Sequence, residues 1–216
     1  GIHAPDPTGT APPPDPTAMT GNAHPLATIH PTAEVDPSAV VEADAMIGPG
    51  VVVGPRAVVH THAILWRGAT VGEYATVGEG AEVRADAEVG PGAGIGTAAK
   101  VGGGSKLGVR VRVGDRAVLG EGVHVEDSAA VGNRVTLRRG VLVGQGATVG
   151  DRAQIGNLVR IGPGATLGIR VGIGAESIIG SGARIGNRTS VGRRVRVAAD
   201  AALPTRSRVH DWESVG

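Results

Sequence analysis

The chain has 216 residues, 37 of them Gly, with no Cys, no Phe, one Tyr and two Trp, and a formal net charge of +1. Hydrophobic residues still make up 41%, so a core must come from Ala, Val, Ile and Leu, which suits a narrow repetitive interior better than a layered globule. Lack of Cys excludes a disulfide framework and a thiolate metal site; no apolar run reaches the ~18 residues of a membrane span and no signal-peptide pattern is present. A cytoplasmic location is expected, with neither membrane nor nucleic acid as partner. The first residue is Gly1 and not Met, as expected of an amino terminus that has been removed or replaced.

Residues 1–26 hold seven of the 14 Pro, with Thr, Ala, Asp and Gly between them, and read as a flexible Pro-rich arm or linker that cannot bury a core. From residue 27 to 216 one pattern runs unbroken. An aliphatic residue falls at every sixth position from Ile29 to Val215, 32 times without insertion or deletion. Two residues before each stands Ala, Ser, Thr or Val in 31 of 32 cases, Glu213 being the exception, and the residue after it is Gly in 21 of 32. A period of six is neither helical nor simple strand alternation. It fits a short strand whose aliphatic and small residues share parity and point to one side, followed by a tight turn for which Gly is suited. Three hexads close a triangular coil of 18 residues, and parallel pairing between coils about 4.8 Å apart gives about ten coils, a prism on the order of 50 Å long. The expected class is all-β, a single-stranded parallel β-helix over residues 27–216.

Sequence order then becomes axial position. Residues 1–108 carry 5 basic and 11 acidic side chains (5 − 11 = −6), and residues 109–216 carry 16 and 9 (16 − 9 = +7). The molecule is expected to be electrically polar from end to end, to attract copies of itself head to tail at low salt, and to limit that growth with Trp212 and Glu213 at the last coil.

Segments such as IGPGVVVGPRAVV (47–59), VGDRAVLGEGVHV (113–125) and IGNLVRIGPGATLG (155–168) resemble the hexapeptide-repeat superfamily. The resemblance covers residues 29–216. It implies a left-handed coil, against the general crossover rule, and a homotrimer. It also implies an acyltransferase that moves an acyl group from coenzyme A or acyl carrier protein to a sugar or amino acceptor, using a His between subunits as general base. His124-Val-Glu-Asp127 followed by Val131-Gly-Asn-Arg134 is similar to the His-x-x-His-Asp and VGNR segments of UDP-N-acetylglucosamine acyltransferases. In that alignment His124 takes the place of the first His, and Asp127 that of the base, although an exposed Asp, with a pKa near 4, is a poor base at neutral pH. His124 is thus the candidate catalytic residue, the alternative being a plain surface His.

Arg116, Arg134, Arg152, Arg170, Arg188 and Arg206 recur every 18 residues, so they should stack on one corner, each neighbouring pair repelling by roughly 1 kcal/mol in water before screening. Arg152, Arg170, Arg188 and Arg206 are the candidates for holding coenzyme A phosphates; a polyanion, an acidic partner or mere solvation of common turn residues are the alternatives. His60 and His62 form a weak metal pair, since the scaffold resembles gamma-class carbonic anhydrases but their His-x4-His spacing and a third ligand are missing. Gly90–Gly94 and Gly102–Lys106 look like phosphate loops, yet the hexad already requires those glycines. Ile64–Glu73 resembles the solenoid of sugar-nucleotide pyrophosphorylases. That likeness, and the lack of any inserted loop, favour the other reading, a non-catalytic structural, oligomerisation or scaffold solenoid.

Overall fold

A computed structural model describes residues 22–216. Among the described residues there is no helix, hence none long and apolar enough to cross a membrane. Thirty-three strands of two residues follow one another at intervals of six: β1 (Asn22–Ala23), β2 (Thr28–Ile29), β3 (Glu34–Val35), and so on to β33 (Ser214–Val215). Each strand pairs in parallel with the strand three places on, so β1 meets β4 (Val40–Val41) with Ala23 opposite Val41. Three 11-stranded sheets result, the first starting at β1, the second at β2 and the third at β3. They form the three faces of a left-handed prism of about eleven coils. Among the described residues the first strand, β1, already lies ahead of residue 27; residues 1–21 of the proposed arm lie outside the described residues.

The register aliphatics point inward as their parity requires. All thirty from Val35 to Val209 are buried, while Ile29 and Val215 at the two ends are half-buried. The small residue two places earlier packs beside each of them, and Ala there leaves room for Leu or Ile in so narrow a core. Ser105, Ser177 and Thr189 are the buried polar exceptions, and each hydroxyl has a partner. Ser105 Oγ donates to the Gly120 carbonyl at 2.9 Å and accepts the Val123 amide at 3.1 Å, tying one turn to the next.

The corners correct one expectation. Turn conformation was expected of the glycines that directly follow the aliphatics, yet these do not adopt positive φ. Gly102, for example, is kept free of a side chain because a Cβ there would lie 2.4 Å from the Gly120 backbone of the next coil. The left-handed position is two residues further on. Every sixth residue from Asp44 to Trp212 has φ between 53° and 68°, 10 of them Gly and 19 not. A side chain there carries strain on the order of 1 kcal/mol, accepted because the corner's amide is satisfied by the adjacent coil, as in Arg134 N–H to Asp115 C=O at 2.8 Å. Asp or Asn in the middle of a corner folds back onto the preceding coil: Asp115 Oδ1 accepts the Thr97 amide at 2.9 Å, and Asn133 Oδ1 the Asp115 amide at 2.8 Å. The glycine after the aliphatic makes room for that oxygen; a Cβ on Gly114 would lie 2.7 Å from Asn133 Oδ1.

Candidate functional site

His124 opens β18 (His124–Val125) on the third face and points outward, exposed. Parallel register sets it beside Lys106 on one side and Leu142 on the other, with Glu88 one coil beyond Lys106. These residues, with Glu126, Asp127 and Gln145, line an open hollow of about 460 Å³. Lys106 Nζ is 2.8 Å from Glu88 Oε1, so the cation next to the imidazole is already paired. Glu126 Oε2 accepts the Gln145 amide at 2.9 Å. Asp127, the carboxylate at the position aligned with a base, is occupied in the backbone: its Oδ1 accepts the Val109 amide at 2.8 Å. The His124 side chain makes no hydrogen bond or ion pair among the described residues. Lys106, Glu88 and Leu142 were absent from the sequence-based site, although their spacing of 18 and 36 from His124 already put them in one row.

The six Arg residues do stack on one edge. Each is exposed and occupies the left-handed position of the corner between the first and second faces. None forms an ion pair among the described residues, and the intervening Asp115 and Asp151 direct an oxygen to the backbone amides of Thr97 and Asn133. Each coil runs through the first, second and third faces in turn, so the corner between the first two lies opposite the third. His124 and the arginines Arg152, Arg170, Arg188 and Arg206 therefore stand on opposite sides of one prism, and a single chain does not bring them together.

Of the candidate metal pair His60 and His62, only His60 has a side-chain partner among the described residues. His60 Nδ1 lies 3.0 Å from Glu42 Oε1, while Glu42 Oε2 accepts from both the amide and the hydroxyl of Thr61 at 3.0 Å. Those bonds from Thr61, helped by His60, hold the Glu42 carboxyl below the usual range. His62 sits at the left-handed position, φ 61°, so the pair straddles a corner and not a straight strand. No group of three or more His, Cys, Asp or Glu among the described residues could hold a metal ion. The phosphate-loop look of Gly102–Lys106 dissolves in the same way: Gly102 is a contact glycine, Gly104 a left-handed one, and Ser105 is buried.

By architecture the chain is a left-handed parallel β-helix of hexapeptide repeats. It is similar to UDP-N-acetylglucosamine acyltransferase from Arabidopsis, with a TM-score of 0.66 and 15% identity over 88% of this chain and 71% of that one. LpxA from Acinetobacter baumannii matches at a TM-score of 0.44 and 17% identity, over 87% and 66%. PerB from Caulobacter crescentus, solved with CoA and GDP-perosamine, matches at 0.42 and 25%, over 55% and 51%, so the chain spans about half the length of that protein. No protein-family model and no curated protein matches the sequence.

Proposed function

We propose that this chain is a hexapeptide-repeat acyltransferase-like protein that moves an acyl group from coenzyme A or acyl carrier protein to a hydroxyl or amino group of a sugar-type acceptor. The observation that carries the reading is the hollow on the third face, where an exposed imidazole without partners is flanked by a paired Lys and Glu, an amide and an apolar side chain. The shared scaffold of the Arabidopsis enzyme supports it. His124 would take the acceptor's proton as that oxygen or nitrogen attacks the thioester carbonyl. The C–S bond then breaks and the proton passes to the departing thiolate, returning the neutral imidazole. Asp127 is tied to the Val109 amide and serves the turn.

The open hollow calls for a second wall, which a neighbouring subunit of a homotrimer would supply. Coenzyme A phosphates bound on Arg152, Arg170, Arg188 and Arg206 would deliver the thioester to His124 of a different chain, since the two lie on opposite sides of the prism. His124→Ala should abolish acyl transfer while sedimentation shows the oligomer unchanged, and coenzyme A should raise the melting temperature of the wild type. Full turnover in His124→Ala would overturn the assignment. A second reading, a rigid non-catalytic spacer, is favoured by one observation: across 33 strands no corner among the described residues extrudes a loop to cover a substrate. A melting temperature indifferent to coenzyme A and acyl donors would support it.

A further inference from the structure

Beyond any acyl transfer, we infer that the edge between the first and second faces is a binding ridge for a linear acidic polysaccharide, with one Arg per coil from Arg116 to Arg206 set against one charged sugar. Three observations converge on this edge. First, all six arginines occupy left-handed backbone positions, where Gly would be unstrained. The corner between the third and first faces uses Gly146, Gly164 and Gly182 in the same stretch. Retaining a strained Arg six times over, with like charges stacked, is a cost that packing does not explain, because these side chains are exposed.

Second, two of the three arginines at left-handed positions of other corners, Arg56 and Arg194, have partners one coil away, while Arg110 has none among the described residues. Arg56 lies 5.4 Å from the Tyr74 ring centre; Arg194 lies 4.6 Å from that of Trp212 and 2.7 Å from Glu176 Oε2. The six on this edge have none among the described residues, and their nearest carboxylates, Asp115 and Asp151, each bond a backbone amide. Two hollows of about 470 and 530 Å³ between them share Asp151 and Arg152, making one trough from Thr97 to Arg206.

Third, the flanks select the class of anion. Outward strand positions beside the edge carry Thr148 and Thr166 on the first face and Thr136, Gln154 and Ser190 on the second. Hydroxyls and an amide suit sugar hydroxyls, while the guanidinium fork matches a carboxylate or sulfate. Single-stranded nucleic acid is bound with aromatic platforms, and the chain's aromatics, Trp66, Tyr74 and Trp212, all lie at the other two corners. A straight, uninterrupted ladder with a coil repeat of about 4.8 Å fits an extended polymer of regular charge spacing along its whole length, of which the phosphates of a single cofactor would cover only a part.

The test is titration of fluorescent oligogalacturonates of increasing length into the full chain at low and moderate salt. Affinity should rise with length until about six uronates span the ladder and then level off, and it should fall with salt. Arg152→Gly/Arg170→Gly should weaken binding about tenfold or more. Because Gly relieves the positive φ, this variant should melt no lower than wild type, which separates lost binding from lost folding. Arg110→Gly, at the left-handed position of a different corner, should leave affinity unchanged. The proposal falls if Arg110→Gly weakens binding equally, or if the double variant binds like wild type. It also falls if oligodeoxythymidine of equal charge binds more tightly. His124→Ala leaves this ridge intact, so failure here and failure of acyl transfer are distinguishable.

Discussion

In the coils up to residue 108, carboxylates and cations meet, whereas beyond it they mostly do not. Glu82 holds Lys100 at 2.7 Å and Arg84 at 3.6 Å, Glu88 holds Lys106 at 2.8 Å, and Glu42 holds His60 at 3.0 Å. Among the described residues after 108 only Arg194 and Glu176 pair, at 2.7 Å, although that half has 16 basic side chains. Its carboxylates go elsewhere: Asp115, Asp127, Asp151 and Asp211 each accept a backbone amide of the preceding coil. Exposed ion pairs add little stability, so the contrast concerns what each surface offers. The first half pairs most of its few cations with carboxylates, and the second uses its anions on the backbone and leaves its arginines to solvent or a partner.

The first coils also differ from the later ones at the glycines that follow the aliphatics. A Cβ on Gly48 or Gly54 would come no closer than 2.9 or 3.0 Å to the next coil, but one on Gly102, Gly180 or Gly186 would come within 2.4 Å. Side chains stand at that position in both halves, Glu42, His60, Trp66 and Arg84 in the first and Glu126, Arg138 and His210 in the second.

The largest effect should come from breaking the register that both halves share. Deleting one residue from an interior hexad turns every following inward side chain to the wrong face, whereas deleting 18 removes one coil and keeps register. Thermal unfolding should show the single deletion to be far the worse in either half; equal tolerance would mean that the hexad does not govern packing. Next in size, Gly180→Ala should lower the melting temperature by several degrees and Gly48→Ala by clearly less, because backbone opposes the first Cβ at 2.4 Å and the second at 2.9 Å. Equal losses would erase the difference in coil contact.

Acid should separate the halves more gently. Asp36, Glu42 and Glu82 in the first half, and Glu176 in the second, have pKa values lowered first by hydrogen bonds, from Ser38, Thr61, Lys100 and Arg194 respectively. A carboxyl with a lowered folded-state pKa stabilises fully above its unfolded value and loses that contribution as pH falls through the folded value. Hydrogen exchange should therefore show the early coils opening before the later ones as pH falls below about 4, and Glu42→Gln should remove part of that dependence. Protection lost uniformly would contradict it.

The smallest effect concerns the ends. The opposite charges of the halves predict weak head-to-tail association, visible by light scattering at low ionic strength and gone where the Debye length reaches about 8–10 Å; Arg188→Glu with Arg206→Glu should weaken it. The expected cap divides in two. Glu213 does serve the last coil, its Oε2 accepting the His210 amide at 3.0 Å. Trp212 lies at a corner over the Arg194 guanidinium and does not cover the open strands β31 (Ala202–Leu203), β32 (Arg208–Val209) and β33. Trp212→Ala should thus leave association unchanged, and stronger scattering would restore it as a cap.

The sequence alone determined the repeat, the inward residues and the alignment of the arginines on one edge, because a period of six without a single insertion makes position modulo 18 equivalent to place on the prism. It also fixed which residues flank His124 along its face, for the same reason. Only the tertiary structure decided what depends on contact between coils: that one corner glycine makes room and another position bends the chain, and that Asp127 is held by a turn. The partners of His60 and Trp212 are likewise set by side-chain reach, which periodicity does not encode. The placement of His124 opposite the arginine edge follows from closing the triangle, and that closure is enforced by parallel pairing between residues 18 apart and not by any local preference of the hexads themselves.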